Sequence, residues 1–325
     1  MSSSRFERET GDGKGYEKYA AFLIFMLSSE GIAKRSLMLQ RVRNFFLQQK
    51  YIEVDTPIRL PVLIPEAEIF PLASENWFLQ TSPELCMKRV LAQGCSQIFQ
   101  ICPCFRKGER GRLHQEEFTM LEWYRTGWSY LELMKECEQM IQQVAGKNSI
   151  CRSGKEISLR APWQRLTVND AFLRYASISA EEAVRTGAFD LLLVEKVEPE
   201  LGWESPAFLY DYPIELASLA RPKPGFPELA ERFELYIGGV ELANGFSELT
   251  DPVAQRRRFN EEISKVNKVD INNYDNTGKV PEKFLAALEK LPDCAGIALG
   301  LDRLLMLLLE RDCLAEVLPF AEDDL

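Results

Sequence analysis

The spacing of hydrophobic positions changes along the chain between a helical period and a strand period. Over residues 33–49 apolar side chains return every three or four positions, which predicts an amphipathic helix. Residues 51–57 follow as a strand that a proline ends. A second helix is predicted over 82–92, because Ser82 stands at its cap and a proline occupies the first helical position. The chain therefore mixes amphipathic helices with extended segments.

The segment 105–125 predicts an antiparallel hairpin, because two extended runs flank a charged loop that contains glycine. Side chains alternate between the two faces of a strand. In the second run, the face that carries Glu122 also carries Phe118, Met120 and Tyr124. An acid among apolar neighbours is unusual on a surface sheet, so we expect Glu122 to lie in a pocket that binds a cation.

Paired glycines at 238–239 lie between two runs rich in strand-forming residues, which predicts a second hairpin. A two-residue turn would place Glu234 opposite Ala243 and diagonal to Glu241 on one face. Two neighbouring carboxylates repel each other unless a cation or a proton joins them. Because hard oxygen ligands suit Mg²⁺, this pair is a candidate metal site. The alternative is two solvated hairpin acids.

Near the C-terminus, a strand at 295–299 leads into an apolar helix at 302–310. Arg303 stands in the first turn of that helix, where backbone N–H groups and the helix dipole already favour an anion. We therefore expect Arg303 to face a phosphate or carboxylate. Residues 146–165 show neither period, and we expect an irregular segment there.

The composition restricts the possible chemistry. His114 is the only histidine, which excludes metal sites that need two imidazoles. It also confines any Ser-His-Asp or Cys-His pair to its own surroundings. The chain contains no GxxxxGK[ST] loop and no strand-linked GxGxxG. A nucleotide, if bound, must be held in another way, for example by arginines on an antiparallel sheet.

Charge, cysteines and apolar runs limit the partners. The net charge of −10 argues against tight non-specific nucleic-acid binding. The eight cysteines form no C-x-x-C pair and lie mostly among apolar residues, which favours a reduced, cytoplasmic protein. The apolar run at 20–27 is shorter than the roughly 20 residues that span a bilayer, so we expect no membrane segment. Residues 1–30 are expected to form a flexible tail and 31–325 a single domain.

Three separated segments together resemble motifs 1, 2 and 3 of class II aminoacyl-tRNA synthetases. They are the helix and strand before Pro57, the hairpin that begins with Arg106, and GIALGLDRLLMLL at 296–308. The lysyl branch is the most similar, as seen in TSPELCMKR (81–89), EFTMLEWY (117–124), YDYP (210–213) and ELANGFSEL (241–249). The resemblance covers roughly residues 33–320. It implies an α+β catalytic core with a central antiparallel sheet flanked by helices, and a homodimer formed through motif 1.

Only about 30 residues precede the motif 1 helix, too few for the anticodon-binding barrel of a lysyl-tRNA synthetase. A lysyl-like core alone resembles the elongation factor P–(R)-β-lysine ligase family. That resemblance implies activation of (R)-β-lysine or lysine with ATP and transfer to a lysine of elongation factor P, with tRNA binding not expected. Ser82 and Ala298 agree with it, because they stand where lysyl synthetases have alanine and glycine.

The resemblance also implies a role for each matching residue. Around ATP and Mg²⁺ these are Arg106 for the α-phosphate and substrate carboxylate, Phe118 for adenine, Arg303 and His114 for the outer phosphates, Glu109 in the ATP loop, and Glu234 with Glu241 for the metal. Around the amino acid they are Glu122, Tyr124 and Glu248 for the side-chain ammonium, Asn244 for the carboxylate, Glu84 for the amino group, and Ser82 with Ala298 for pocket shape. Arg106 and Arg303 are the expected catalytic residues.

Two other functions stay open from the sequence. One is a truncated lysyl-tRNA synthetase that charges tRNA, and the other is a non-catalytic, synthetase-like regulatory subunit. The presence of Arg106 and Arg303 disfavours the second. The sequence leaves α-lysine and β-lysine undistinguished. His114 could also be a surface histidine, and Asn244 with Gly245 a simple turn.

Overall fold

The computed structural model describes residues 27–269 and 279–320. The expected tail at 1–30 lies outside these residues except for positions 27–30, of which Ser29 and Glu30 already belong to the first helix.

The structure combines strands and helices along the whole described chain. The strands are β1 (Ile52–Glu53), β2 (Arg59–Leu60), β3 (Ala73–Ser74), β4 (Trp77–Leu79), β5 (Gln97–Phe105), β6 (Glu117–Thr126), β7 (Ser149–Arg152), β8 (Lys155–Ser158), β9 (Gln164–Thr167), β10 (Ala207–Pro213), β11 (Pro222–Lys223), β12 (Phe226–Ile237), β13 (Val240–Ser247) and β14 (Cys294–Gly300). The helices are α1 (Ser29–Gln48), α2 (Glu84–Leu91), α3 (Tyr130–Ala145), α4 (Val168–Ala171), α5 (Ala180–Arg185), α6 (Phe189–Leu192), α7 (Pro252–Val269), α8 (Glu282–Leu288) and α9 (Leu301–Leu308).

A large sheet with the strand order β1-β5-β6-β14-β13-β12-β10-β9 forms the centre, and β11 pairs with β12. All neighbouring strands from β5 to β10 in this order are antiparallel. The two outermost pairs, β1 with β5 and β9 with β10, are parallel. The predicted α+β architecture with a central antiparallel sheet is confirmed, and the parallel edges are an addition to it.

The expectation of an irregular segment at 146–165 was wrong. Strands β7 and β8 form a short hairpin there, and β9 begins within the same stretch. Ser153 and Gly154 at the turn both have positive φ, 48° and 75°, the geometry of a tight two-residue hairpin turn. The alternation escaped detection because Ile150 and Ile157 are the only fully buried side chains of the two strands.

The two faces of the central sheet have different surroundings. On β6, Leu121 and Trp123 point into the main hydrophobic core, which also contains Phe46 of α1 and Met140 of α3. The side chains that alternate with them point to the opposite face. Helices α1 and α3 therefore cover one face of the sheet. On the opposite face, α2, α7 and α8 pack against Ile98 and Tyr124 and leave room beside them for a cavity.

The hairpin of β12 and β13 turns at Gly238 and Gly239, which both have positive φ, as predicted. Beyond the turn, a β-bulge leaves Leu242 without a partner and shifts the register. Glu234 therefore pairs with Asn244, and the predicted pairing with Ala243 was wrong. A two-residue count from the turn could not anticipate this extra residue.

In the part of the chain that the structure describes, no helix has the length and apolar character needed to cross a bilayer.

Candidate active site

A cavity of about 840 Å³ lies on the sheet face opposite to α1 and α3. Strands β6, β13 and β14 contribute its floor, while α7 and the segment 65–69 complete its wall. The predicted residues that line this cavity are Ser82, Glu84, Arg106, Glu109, His114, Phe118, Glu122, Tyr124, Glu241, Asn244, Ala298 and Arg303. The other two, Glu234 and Glu248, are buried side chains that contact this set. One cavity thus gathers residues that are up to about 220 positions apart in the sequence.

The centre of β6 carries a buried carboxylate with defined partners. Ser82 Oγ donates a 2.7 Å hydrogen bond to Glu122 Oε2, and the Tyr124 hydroxyl donates to Glu122 Oε1. Ser82 Oγ in turn accepts from the backbone N–H of Glu84 at 3.0 Å. These bonds fix the carboxylate where β6 faces the cavity, which places Glu122 as the sequence predicted.

Burial makes the ionised form of Glu122 costly. Desolvation, followed by the nearby Glu84, raises the pKa of the Glu122 carboxyl to about 8, although bonds from Tyr124 and Ser82 oppose the shift. At neutral pH, Glu122 therefore holds a proton while no ligand cation occupies the cavity, although Lys88 opposes the shift. An ammonium group in the cavity would favour the ionised form and expel that proton.

Lys88 contacts two of the predicted site residues, and the sequence did not single it out. Its ammonium lies 2.5 Å from Glu84 Oε1 and also pairs with Glu248 Oε2, and its side chain is 2% exposed. Burial alone would lower the pKa of Lys88, but Glu248 and Glu84 outweigh burial and raise it. Burial raises the pKa of Glu248, whereas Lys88 opposes this shift. Because the Lys88 ammonium contacts Glu248 Oε2 directly, we treat the two side chains as an ion pair. The signal was the four-residue spacing of Glu84 and Lys88 within one helix.

Close packing between β6 and β14 brings Tyr124 and Glu248 together. A Cβ at Gly296 would lie 2.2 Å from Tyr124 Cε1 and 2.6 Å from Glu248 Oε1, so only glycine fits there. Two residues beyond Gly296 on β14, Ala298 pairs with both Glu122 and Asn244. Asn244 Oδ1 is buried and accepts no hydrogen bond from a described residue. It is a free acceptor in the wall of the cavity.

At the other end of the cavity, Arg303 joins three groups. Its Nη1 donates to Glu241 O at 2.8 Å and lies 3.5 Å from Glu241 Oε2, and its Nε donates to Leu113 O at 3.1 Å. Its Nη2 lies 2.8 Å from His114 Nε2. Burial and the charge of Arg303 lower the pKa of His114, so the neutral imidazole accepts this bond. The predicted partners of the outer phosphates therefore lie side by side.

Arg106 begins the loop between β5 and β6. Its guanidinium lies over the Phe118 ring, 5.2 Å from the ring centre, and its Nη1 lies 3.6 Å from Glu109 Oε1. Arg106 Nε is buried and donates to no described residue. The Nε donor of this guanidinium is therefore left for a ligand in the cavity.

The two acids proposed for a metal differ in their surroundings. Glu234 accepts from Arg232 Nη2 at 2.7 Å and from the hydroxyls of Tyr212 at 2.5 Å and Tyr236 at 2.7 Å. For Glu241, burial and the adjacent Glu234 raise the pKa to about 7. Glu241 faces the cavity, whereas the oxygens of Glu234 are already engaged. Among residues 27–269 and 279–320, no cluster of three or more metal-ligating side chains occurs.

Two further cavity residues were not anticipated. Arg232 Nη1 donates to Leu216 O at 2.6 Å, and the Arg232 guanidinium lies over the ring of Tyr212. Arg232 and Tyr212 both donate to Glu234 and hold it in place. Glu66 lines the cavity near Glu84, and burial followed by Glu84 raises its pKa to about 7. Neither had a signal in the sequence, since both lie outside the motifs: Arg232 stands on β12, and Glu66 stands in the segment between β2 and β3.

The cavity thus has an acidic end and an arginine end, built on a sheet that resembles a synthetase core. A family model for class II tRNA synthetases (D, K and N) matches residues 23–324 of this chain. The chain therefore belongs to the class II tRNA synthetase family, and it is an enzyme of the ligase type.

Full-length relatives define the branch. An elongation factor P–(R)-β-lysine ligase of Klebsiella pneumoniae subsp. pneumoniae is 37% identical over 316 residues, covering 90% of this chain and 95% of that protein. A ligase of the same name from Salmonella dublin is 37% identical over 320 residues, covering 91% and 96%. The predicted resemblance to this group of class II synthetase-like ligases is confirmed.

Proposed function

We propose that this chain activates (R)-β-lysine, or lysine, with ATP and transfers it to a lysine side chain of elongation factor P. The observation that carries the proposal is one cavity with two oppositely charged ends. Glu84 and Glu122 line the acidic end, and the buried Glu248 lies behind them in a salt bridge with Lys88. Arg106 and Arg303 line the other end. The names of the full-length relatives supply the amino acid and the acceptor.

The acidic end would hold the amino acid by its ammonium groups. Glu122 and Tyr124 lie where a side-chain ammonium would replace the proton on Glu122, while Glu84 lies beside the same space. Asn244 Oδ1 offers an acceptor without a competing partner. Because these groups are buried, an uncharged analogue would leave the carboxylates unpaired, and such sites discriminate strongly.

Activation joins the substrate carboxylate to the α-phosphorus of ATP. A carboxylate oxygen attacks phosphorus, the bond to the bridging oxygen of pyrophosphate breaks, and an acyl-adenylate forms. Arg106 would stabilise the charge that develops on the phosphoryl oxygens, since its Nε donates to no described residue. Arg303 and His114 would hold the outer phosphates, and Phe118 and Glu109 would contact the adenosine side of ATP.

The residues present also fit Mg²⁺. Mg²⁺ keeps several waters and is usually bound by one or two carboxylates together with substrate phosphates, so a dense protein cluster is not required. Glu241 faces the cavity and would contact the ion, while Glu234, held by Arg232 and two tyrosines, would add negative charge beside it. When bound, the ion offsets negative charge on the phosphates.

Transfer completes the reaction. The uncharged amine of the acceptor lysine attacks the carbonyl carbon of the adenylate, the bond from that carbon to the phosphate oxygen breaks, and AMP leaves. The amine nitrogen loses its proton, and an amide bond remains. We also propose that the enzyme works in the cytoplasm, where elongation factor P acts in translation, and that it does not charge tRNA.

We further propose a homodimer formed by α1 and β1. Ile32, Leu37 and Leu47 of α1 and Ile52 of β1 are 46–54% exposed, an unusual concentration of large apolar side chains on neighbouring elements. Light scattering at micromolar concentration should give twice the chain mass of 37.2 kDa. Leu37→Asp should shift the mass toward the monomer, and a monomeric wild type would contradict this proposal.

Intact mass spectrometry of unmodified elongation factor P tests the function. The factor is incubated with this enzyme, ATP, Mg²⁺ and either (R)-β-lysine or lysine, beside a parallel tRNA-charging reaction. We expect the factor to gain the mass of one lysyl residue, with (R)-β-lysine preferred, and tRNA to stay uncharged. Charged tRNA and unchanged factor would instead identify a tRNA synthetase.

A further inference from the structure

The acidic end of the cavity contains a buried cation of its own. Lys88 is 2% exposed and bridges Glu84 and Glu248, while the rings of Phe246 and Phe284 lie 5.2 and 5.9 Å from its nitrogen. Because this ammonium is buried, its charge acts on its neighbours with little screening. Helix α2 fixes the arrangement, since Glu84 and Lys88 stand four residues apart on one helical face.

A salt bridge of this kind is not explained by stability alone. Desolvation makes buried ion pairs weak stabilisers, and apolar replacements are often as stable or more stable. For comparison, Glu30 and Lys34 form a pair of the same spacing on the surface, where both side chains stay solvated and the desolvation cost is small. A buried pair at the wall of a cavity therefore indicates a role in what the cavity binds.

The charged side chains at the acidic end, Glu84, Lys88, Glu122 and Glu248, lie close enough to influence one another's ionisation. Glu84 lies close enough to raise the pKa of Glu122, and Lys88 opposes that shift. Glu66 also lies near Glu84, and burial followed by Glu84 raises its pKa to about 7, so we count it as neutral. With Glu84, Glu122 and Glu248 ionised, three carboxylates and one ammonium then leave two negative charges. A diamino acid carries two ammonium groups, and its carboxylate would lie with Arg106 at the other end. The two charges match only when Lys88 is present.

We propose that Lys88 is an internal cation that sets the charge of the acidic end to suit a substrate with two ammonium groups. This inference rests on the proposed activation of a diamino acid. Lys88 holds Glu84 and Glu248 in place and neutralises one of the three acids, so it is a positioning residue that determines specificity. Glu248 Oε1 accepts no hydrogen bond from a described residue and lies next to Gly296, which lines the cavity.

The test compares single and double variants by calorimetric titration with (R)-β-lysine or lysine. Glu84→Gln should weaken amino-acid binding at least about tenfold, because it leaves one negative charge too few beside Lys88. Lys88→Met should weaken it to a similar degree, because three acids then compete for two ammonium groups. The double variant Glu84→Gln/Lys88→Met restores two negative charges and should bind more tightly than either single variant.

The controls separate this role from a structural one. ATP binding, titrated separately, should stay within about twofold of wild type in all three variants, because that end of the cavity is unchanged. Lys147→Met makes the same substitution in an exposed Lys–Glu pair away from the cavity and should leave both titrations unchanged. If Lys88→Met does not fold, the double variant is compared with Glu84→Gln alone.

Two results would overturn the inference in different ways. A double variant that binds no more tightly than Glu84→Gln would show that Lys88 does not balance the charge. A wild-type protein that binds no diamino acid would remove the proposed function as well. Tight wild-type binding without modification of elongation factor P would remove only the acceptor and leave the role of Lys88 standing.

Discussion

The two ends of the cavity differ in how firmly their charged groups are held. At the acidic end, Glu122 is 2% exposed and accepts bonds from Ser82 and Tyr124, on a central strand of the sheet. At the arginine end, the side chains of Arg106 and Glu109 are 26% and 31% exposed and stand on the loop between β5 and β6. One end is a buried network, whereas the other is partly solvated.

This difference suits the two ends to the two proposed substrates, the amino acid at the acidic end and ATP at the arginine end. Buried and hydrogen-bonded carboxylates are costly to leave unpaired, so the acidic end can choose among amino acids. Partly solvated side chains on a loop can rearrange around phosphates that every ATP molecule presents in the same way. Substitutions at the two ends should therefore change different kinetic constants.

The largest effect is expected at the arginine end. Arg106→Ala should lower the rate of amino-acid-dependent pyrophosphate exchange by about 10²–10³-fold, because it removes a donor to the charge that develops in the transition state. The melting temperature should hardly change, since the guanidinium is partly solvated. Arg110→Ala in the same loop is the control, because that side chain is 63% exposed and does not line the cavity. An equal loss in both variants would contradict the assignment.

An intermediate effect is expected at the acidic end. Glu122→Gln should raise the KM for the amino acid about tenfold to a hundredfold, because a neutral amide cannot pair with the ammonium. The KM for ATP should stay close to that of wild type. Steady-state exchange at varied concentrations of each substrate separates the two constants. A rise confined to the KM for ATP would place Glu122 in the wrong part of the cavity.

The pKa of Glu122 also predicts how stability depends on pH. Folding raises this pKa from 4.5 to about 8, so the folded protein retains a proton that the unfolded chain releases. The contribution of Glu122 to stability is therefore lost as pH rises from about 4.5 through about 8. Melting temperatures between pH 5 and pH 9 should fall more steeply for wild type than for Glu122→Gln. Parallel curves would mean that Glu122 is ionised throughout.

The smallest effect is expected at Ala298, which shapes the acidic end without carrying charge. Ala298→Gly removes a methyl group between Glu122 and Asn244 and should shift the preference between (R)-β-lysine and lysine by up to about tenfold. The ratio of the two kcat/KM values measures it. Ala295→Gly is a matched control, because Ala295 lies on the same strand but faces the main core. It should lower stability and leave the ratio unchanged.

Much of the fold and of the cavity follows from local patterns. The alternation around Glu122 and the paired glycines at 238–239 predicted two hairpins that form most of the floor. Motif resemblance supplied twelve side chains that line a single cavity. The hairpins were predicted because period and turn chemistry are set by residues close in the sequence, whereas the roles of the twelve side chains stay predictions.

The parts that escaped prediction depend on contacts between distant segments. The bulge at Leu242 changes the cross-strand partner of Glu234, and the sequence around Leu242 contains no pattern that predicts a bulge. In the sequence, Lys88 resembles any lysine of an amphipathic helix, and its burial depends on contacts with the distant elements α8 and β13. The hairpin of β7 and β8 carries one fully buried side chain per strand, too few for a detectable alternation.

The central claim is that buried acids at one end of the cavity select an amino acid by its side-chain ammonium. Pyrophosphate exchange with (R)-β-lysine, lysine and norleucine, which lacks that ammonium, tests the claim most directly. We predict exchange with the two diamino acids and, for norleucine, a kcat/KM at least about a thousandfold below that of the better diamino acid. Exchange with norleucine at a rate close to that with lysine would contradict the claim.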